Sequence, residues 1–216
     1  MFDRIVRSSD KAECWALLRQ HVALTITNQL QLVAETYKSM TDAFFYEDYR
    51  TLKRSTAAIE NQRKDIKRQR RKQIIAQRRI DPVLSIEKGT WYFLTINSLA
   101  QMVYGLKRMG EPCLEHVGNN FSPVPSKYIQ EFIQIRNVIL QLINWACHAE
   151  TTALIRGDSD KLQLQLSDYR RTIIQDIQVK QLNIESMTVF LNLIQESQQL
   201  LSALRHTVRG ASKFDE

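Results

Sequence analysis

Glycine and proline are scarce in this sequence, 6 and 4 among 216 residues. Strand hairpins need such residues at regular intervals, so their scarcity excludes a fold of many short strands. Cysteine is scarcer still. Cys14, Cys113 and Cys147 are odd in number and far apart, which argues against a disulfide framework or a paired metal-ligand spacing and makes a reducing compartment the simpler home. The opening MFDRIVRSSDKAECW lacks the apolar core of a signal peptide. The longest nearly uncharged apolar stretch, Asn137 to Cys147, falls far short of the roughly 20 residues a membrane helix requires. Phosphate-cradling glycine loops, a Gly-x-Ser-x-Gly elbow and the Glu-x-x-His signature of di-iron bundles are all missing. With no catalytic machinery to recognise, the chain reads as a binding protein and not as an enzyme.

What is present is helical. Leu, Gln, Arg, Ala, Glu and Lys, all good helix formers, dominate the composition. Asp10 followed by Glu13 forms a capping box, and from there Trp15, Leu18, Val22, Ile26, Leu30, Val33, Tyr37, Met40 and Phe44 recur at steps of three and four. A polar turn at residues 46–48 leads into a second helix, about 48–80, with sparse apolar residues at Leu52, Ile59, Ile66 and Ile74. Asp81-Pro82 stops it, because the residue before a proline is pushed out of helical geometry. A third helix, roughly 84–117, carries Trp91, Leu94, Ile96, Leu99, Met102, Val103, Leu106 and Met109, with a kink or break expected near 108–111 from Pro112. Ser122-Pro-Val-Pro125 is the clearest linker. Beyond it the spacing predicts a fourth helix over 126–156, a turn at Gly157-Asp158, a fifth helix over 160–181 and a sixth over 183–210 with Gly210 as its C-cap.

The two halves correspond. Glu47-Asp48-Tyr-Arg-Thr-Leu52 aligns with Gly157-Asp158-Ser-Asp-Lys-Leu162, and Lys64-Asp-Ile-Lys67 with Gln175-Asp-Ile-Gln178, both at an offset of about 110 residues. The expected fold is therefore all-α, six long helices as two tandem three-helix bundles, 1–121 and 122–216, packed together as one unit.

Charge is uneven along the chain. Residues 1–110 hold 20 Lys and Arg against 11 Asp and Glu, whereas residues 111–216 hold 10 against 12. Most of the excess lies in one run: Arg63, Lys64, Lys67, Arg68, Arg70, Arg71 and Lys72, continued by Arg78 and Arg79, with Asp65 the one carboxylate among them. Such a run is either a solvated helix face or a docking surface for an anionic partner. Anionic lipid head groups would attract it by about 1 kcal/mol per cation. An acidic loop of a partner protein is the next reading. Nucleic acid ranks last, because the aromatic residues that would stack bases are absent from the run. His21, His116, His148 and His206 are scattered, and the pairs Cys113 with His116 and Cys147-His148 with Glu150 lack further converging ligands, so packing explains them better than metal does.

The third helix contains Tyr104-Gly-Leu-Lys-Arg-Met-Gly-Glu111, which resembles the Asp-Leu-Glu-Arg-Ile-Gly-Asp helix of PhoU-like proteins, and Phe190-Leu-Asn-Leu-Ile-Gln-Glu196 stands at the equivalent point of the second half. Together with the helix layout and the midpoint linker, the resemblance covers nearly the whole chain. It implies two three-helix bundles side by side, a cytoplasmic location at the inner face of the cell membrane, and a regulatory role in inorganic phosphate uptake. Some members are fused behind a Pit-type phosphate permease, and the start MFDRIVRSSDK suits such a tail. The partners implied are a phosphate permease or its cytoplasmic loops and an anionic membrane surface; a homodimer stays open. In that family, acidic residues of the motif gather metal ions. Here Lys107 stands where the first Glu would be, Gly105 replaces the preceding Asp and Asn192 replaces the acid of the second copy, leaving Glu111 and Glu196 as the carboxylates that could hold a divalent or iron cation. No cofactor is expected, and the alternative readings are a transporter-independent helical scaffold and a basic nucleic-acid-associated helical bundle.

Overall fold

The computed structural model describes residues 10–77, 82–147 and 152–215. Among the described residues there are six helices and no strand: α1 Lys11–Phe45, α2 Tyr49–Gln77, α3 Pro82–Gly118, α4 Ser126–Ala146, α5 Thr152–Lys180 and α6 Ile184–Asp215. None of them is long and apolar enough to cross a membrane.

The helix ends follow local chemistry. Asp10 holds an extended backbone and its carboxylate accepts from the Ala12 N–H at 2.8 Å, satisfying one of the orphan donors that open α1. Glu47 adopts a left-handed backbone in the turn that follows. Asp48 then caps α2, accepting from the Thr51 N–H at 3.1 Å and its hydroxyl at 2.6 Å, bonds that hold its carboxyl below the usual range. Asn183 does the same for α6, accepting from the Ser186 N–H at 3.0 Å.

Four expectations from the sequence need correction. Pro112 does not break α3, which runs unbroken to Gly118. A proline at 112 leaves the Arg108 carbonyl without its intrahelical donor. Asn192 of α6 supplies a replacement, its side-chain amide donating to that oxygen at 3.0 Å. The second correction concerns Gly157-Asp158, which lies within α5 and is not a turn; α4 ends at Ala146 instead. Ile155, Ser159, Leu162, Leu166, Tyr169 and Ile173 form one buried stripe at steps of four and three, and burial of that stripe outweighs the ~1 kcal/mol cost of a helical glycine. Third, Gly210 is no C-cap, because α6 continues to Asp215. A Cβ there would lie 2.3 Å from the Thr95 hydroxyl, so glycine is what lets α6 approach α3 so closely. Fourth, Ile74 and Leu94 point outward. The stripe Leu52, Ile59, Ile66 advances by sevens to position 73, and Ile74 falls about 100° further round the helix.

In space, α1, α2 and α3 pack on one another, as do α5 and α6 with α4. The most extensive helix pair is α3 with α6, one from each half of the sequence. A single continuous core results. Tyr37, Met40, Leu99, Met102, Leu106, Phe132, Phe190, Leu201 and Leu204 belong to it, and Phe45, Phe132 and Phe190 meet edge to face within it at centroid distances of 5.6 to 6.3 Å. Tyr37 of α1 reaches across the centre to the Ser197 hydroxyl of α6 at 2.8 Å. Arg136 of α4 is buried and ion-paired with Asp42 of α1, also donating to the Thr41 hydroxyl at 3.1 Å. The three cysteines are free thiols, two buried and one half-buried.

Candidate functional site

Helix α2 faces the core through Leu52, Ser55, Ile59, Gln62 and Ile66, with the Gln62 amide donating to the Gln29 side chain of α1 at 3.0 Å. That anchoring decides where each cation of the basic run goes. Positions 64, 68 and 71 lie opposite the core stripe at steps of four and three, and Lys64, Arg68 and Arg71 are exposed there. Arg68 has an ion pair with Asp65 at 2.8 Å on this outer face, where such a pair contributes little. Lys67 is exposed on the flank nearer α3, and Lys72 is half-buried on the flank nearer α1. His21 is held below its usual range, first by burial and next by the charge of Lys72. Arg78 and Arg79 lie outside the described residues, as do His148 and Glu150.

Two of the arginines reach across to α3. Arg63 donates to Glu60 at 2.6 Å and to the Tyr104 hydroxyl at 3.0 Å, its guanidinium 4.5 Å from the centre of that ring. Arg70 donates to Asn97 at 2.6 Å and lies 4.6 Å from the centre of the Phe93 ring. Both therefore clamp α2 to α3, combining hydrogen bonds with cation–π contacts. A small groove of about 100 Å³ separates the clamps, floored by Ile66, Ile96 and Val103. Lys107 joins the first clamp, 3.2 Å from Glu60, and the hydrogen bonds from Arg63 and Lys107 hold the Glu60 carboxyl below its ordinary range.

Sequence reasoning missed the clamp partners Phe93, Asn97 and Tyr104. Their spacing of four and seven on α3 was the available signal, but it acquires meaning only once the register of α2 against α3 is known. It also missed the apolar tip. Ile74 and Ile75 follow Arg71 at the end of α2, and Val83 and Ile86 stand at the start of α3; all four are at least half exposed.

The carboxylates offered for a metal ion do not fit one. Glu196 is buried and both of its oxygens accept from Arg108, at 2.8 and 2.7 Å. Glu111 is exposed and pairs with Lys107 at 3.4 Å. Each carboxylate already faces a fixed cation, and among the described residues no group of three or more His, Cys, Asp or Glu side chains converges. The two stretches that carry the family resemblance nevertheless meet: Arg108 of the first grips Glu196 of the second and receives the Asn192 amide on its carbonyl.

Comparison of the chain with protein-family models, with curated protein sequences and with solved structures found no match in any of the three.

Proposed function

We propose that this protein is a PhoU-like regulatory domain, built of two tandem three-helix units over 1–121 and 122–216, that controls inorganic phosphate uptake at the cytoplasmic face of a phosphate transporter. The sequence resemblance motivates the reading. Two observations support it: each set of three successive helices packs internally, and the two resembling stretches face one another across α3 and α6.

The observation that carries the docking mechanism is the outer ridge of α2, Lys64, Arg68 and Arg71, together with the exposed apolar tip of Ile74, Ile75, Val83 and Ile86. Cations on such a ridge are attracted to anionic head groups by about 1 kcal/mol each, and neighbouring apolar side chains can enter the boundary between head groups and acyl chains. The bundle then acts as a rigid body whose position against the permease loops gates transport.

The direct test is sedimentation with vesicles containing anionic lipid. A K64Q/R68Q/R71Q variant should bind about 100-fold more weakly than the parent, since three cations contribute about 3 kcal/mol. R70Q is a poor probe because Arg70 belongs to a clamp. Equal binding by the triple variant sinks the docking mechanism, and a gel shift that loses salt-sensitive nucleic-acid binding in that variant would favour a nucleic-acid-associated bundle instead. Radiolabelled phosphate uptake that stays unchanged on deletion of the protein removes the transport reading.

A further inference from the structure

The second half of the chain has no net positive charge, yet four of its ten lysines and arginines, Arg156, Arg205, Arg209 and Lys213, gather around one concavity. Along α6, residues 202, 205, 209 and 212 follow steps of three and four and so share a side. The start of α5 supplies the opposite wall through Ile155 and Arg156. The cleft between them measures about 480 Å³. Ser202, Ser212 and His206 add hydroxyls and an imidazole, whose Nδ1 lies 2.8 Å from the Ser202 carbonyl oxygen.

The charge balance of this cleft is unusual. Arg205 has Asp160 as an ion-pair partner at 2.6 Å. Arg156 and Arg209 are exposed. Arg205 with Arg209, and Arg209 with Lys213, are like-charge pairs at a spacing of four residues, a repulsion that Asp160 relieves at Arg205. Nearby, buried Lys88 of α3 donates to the Lys213 carbonyl at 3.2 Å and lies 3.9 Å from Glu87, so it adds no unbalanced charge to the cleft.

The lining also narrows the chemistry of a ligand. Guanidinium forks match phosphoryl oxygens in bidentate geometry. Several cations spread around a volume far larger than the ~30 Å³ share of one water call for several linked anionic groups and not one. Among the described residues no Phe, Tyr or Trp lines the cleft, Ile155 and Val208 are its apolar contributions, and the His206 imidazole is the one ring there that could stack a nucleobase. We infer that the cleft between α5 and α6 is a binding site for a condensed inorganic phosphate, pyrophosphate or tripolyphosphate. This does not rest on the docking surface, which lies on α2.

Isothermal titration of the full chain at physiological salt tests it, with sodium tripolyphosphate, pyrophosphate, orthophosphate and ATP as separate titrants. Tripolyphosphate should bind most tightly and orthophosphate at least tenfold more weakly, with ATP no tighter than tripolyphosphate. R156Q/R209Q should weaken tripolyphosphate binding by about 10-fold to 100-fold. Both side chains are exposed, so this variant should melt within a few degrees of the parent. K64Q/R68Q/R71Q should bind tripolyphosphate as the parent does. The inference is overturned by parental affinity in R156Q/R209Q, by equal loss in the α2 variant, by absence of binding at millimolar tripolyphosphate, or by tighter binding of ATP, which would make the site one for nucleotides.

Discussion

Replacing Gly210 by alanine should destabilise the protein, although the same change in a free helix would stabilise it. An unhindered glycine-to-alanine change within a helix gains up to ~1 kcal/mol. At position 210 the new methyl group would sit 2.3 Å from the Thr95 hydroxyl, 3.3 Å from the Trp91 carbonyl oxygen and 3.4 Å from the Thr95 Cβ. Thr95 is fully buried and its hydroxyl donates to the Trp91 carbonyl at 2.8 Å. Relief therefore requires either rotation of Thr95 with loss of a buried hydrogen bond, or separation of α3 from α6 along the most extensive contact in the molecule. Either escape costs about 1–3 kcal/mol. Subtracting the full helical gain leaves a loss of up to about 2 kcal/mol, or up to about 8 °C in melting temperature for a chain of this size. Gly157→Ala is the matched control: nothing lies within 4 Å of its Cβ position, so it should stabilise by about 0.5–1 kcal/mol. Urea titrations of G210A, G157A, T95A and T95A/G210A measure all four. T95A removes the obstructing hydroxyl, and the double variant should be at least 1 kcal/mol more stable than additivity of the singles requires. Stabilisation by G210A alone, or strict additivity with T95A, would refute this account of how the two helices meet.

Arg136→Met should cost about 2–3 kcal/mol in urea unfolding, below the ~3–5 kcal/mol of a fully buried pair because the Asp42 side chain is partly exposed and retains Lys38 at 3.0 Å. Acid should unfold the protein through the same aspartate. Burial alone would raise the Asp42 pKa, but hydrogen bonds from Arg136 and Lys38 outweigh it and hold the folded value below the usual one. A depressed carboxyl contributes stability that is fully present above the unfolded pKa of about 3.9 and is lost as pH falls through the folded value. Stability should thus decline modestly below about pH 6.5, as the unfolded state alone protonates His21, and fall further below about 4 through Asp42. The fall below 4 should be shallower in Asp42→Asn; an identical slope in that variant would assign the acid response elsewhere.

Much of this architecture is written in the spacing of apolar side chains. Leu18 through Phe44 are buried at the positions the three-and-four rhythm dictates, and the turn at 46–48 closes where the rhythm stops. Outward placement of Lys64, Arg68 and Arg71 is equally readable, because they sit opposite Leu52, Ile59 and Ile66 on one cylinder. What local rules misjudge are the positions where another helix decides the outcome. Gly157-Asp158 carries a turn signal that the buried stripe of α5 overrides. Gly210 resembles a cap until α3 is laid against it. Arg63 and Arg70 read as free charge, yet they close on rings of a neighbour whose register no pattern within α2 encodes. The α5–α6 cleft was invisible for the same reason, its cations being spread over 57 positions between Arg156 and Lys213 in a half with no net positive charge.

The bond from Asn192 to the Arg108 carbonyl constrains how this sequence can drift. An aspartate at 192 has no proton to give when ionised, and it would turn two acceptors toward one another beside a proline that cannot help. A change to an acid there is therefore best tolerated once Pro112 has been replaced, whereas the reverse order passes through a weakened intermediate. Two residues 80 positions apart in the chain are coupled in this way through one carbonyl oxygen, so a change at either alters what the other can be.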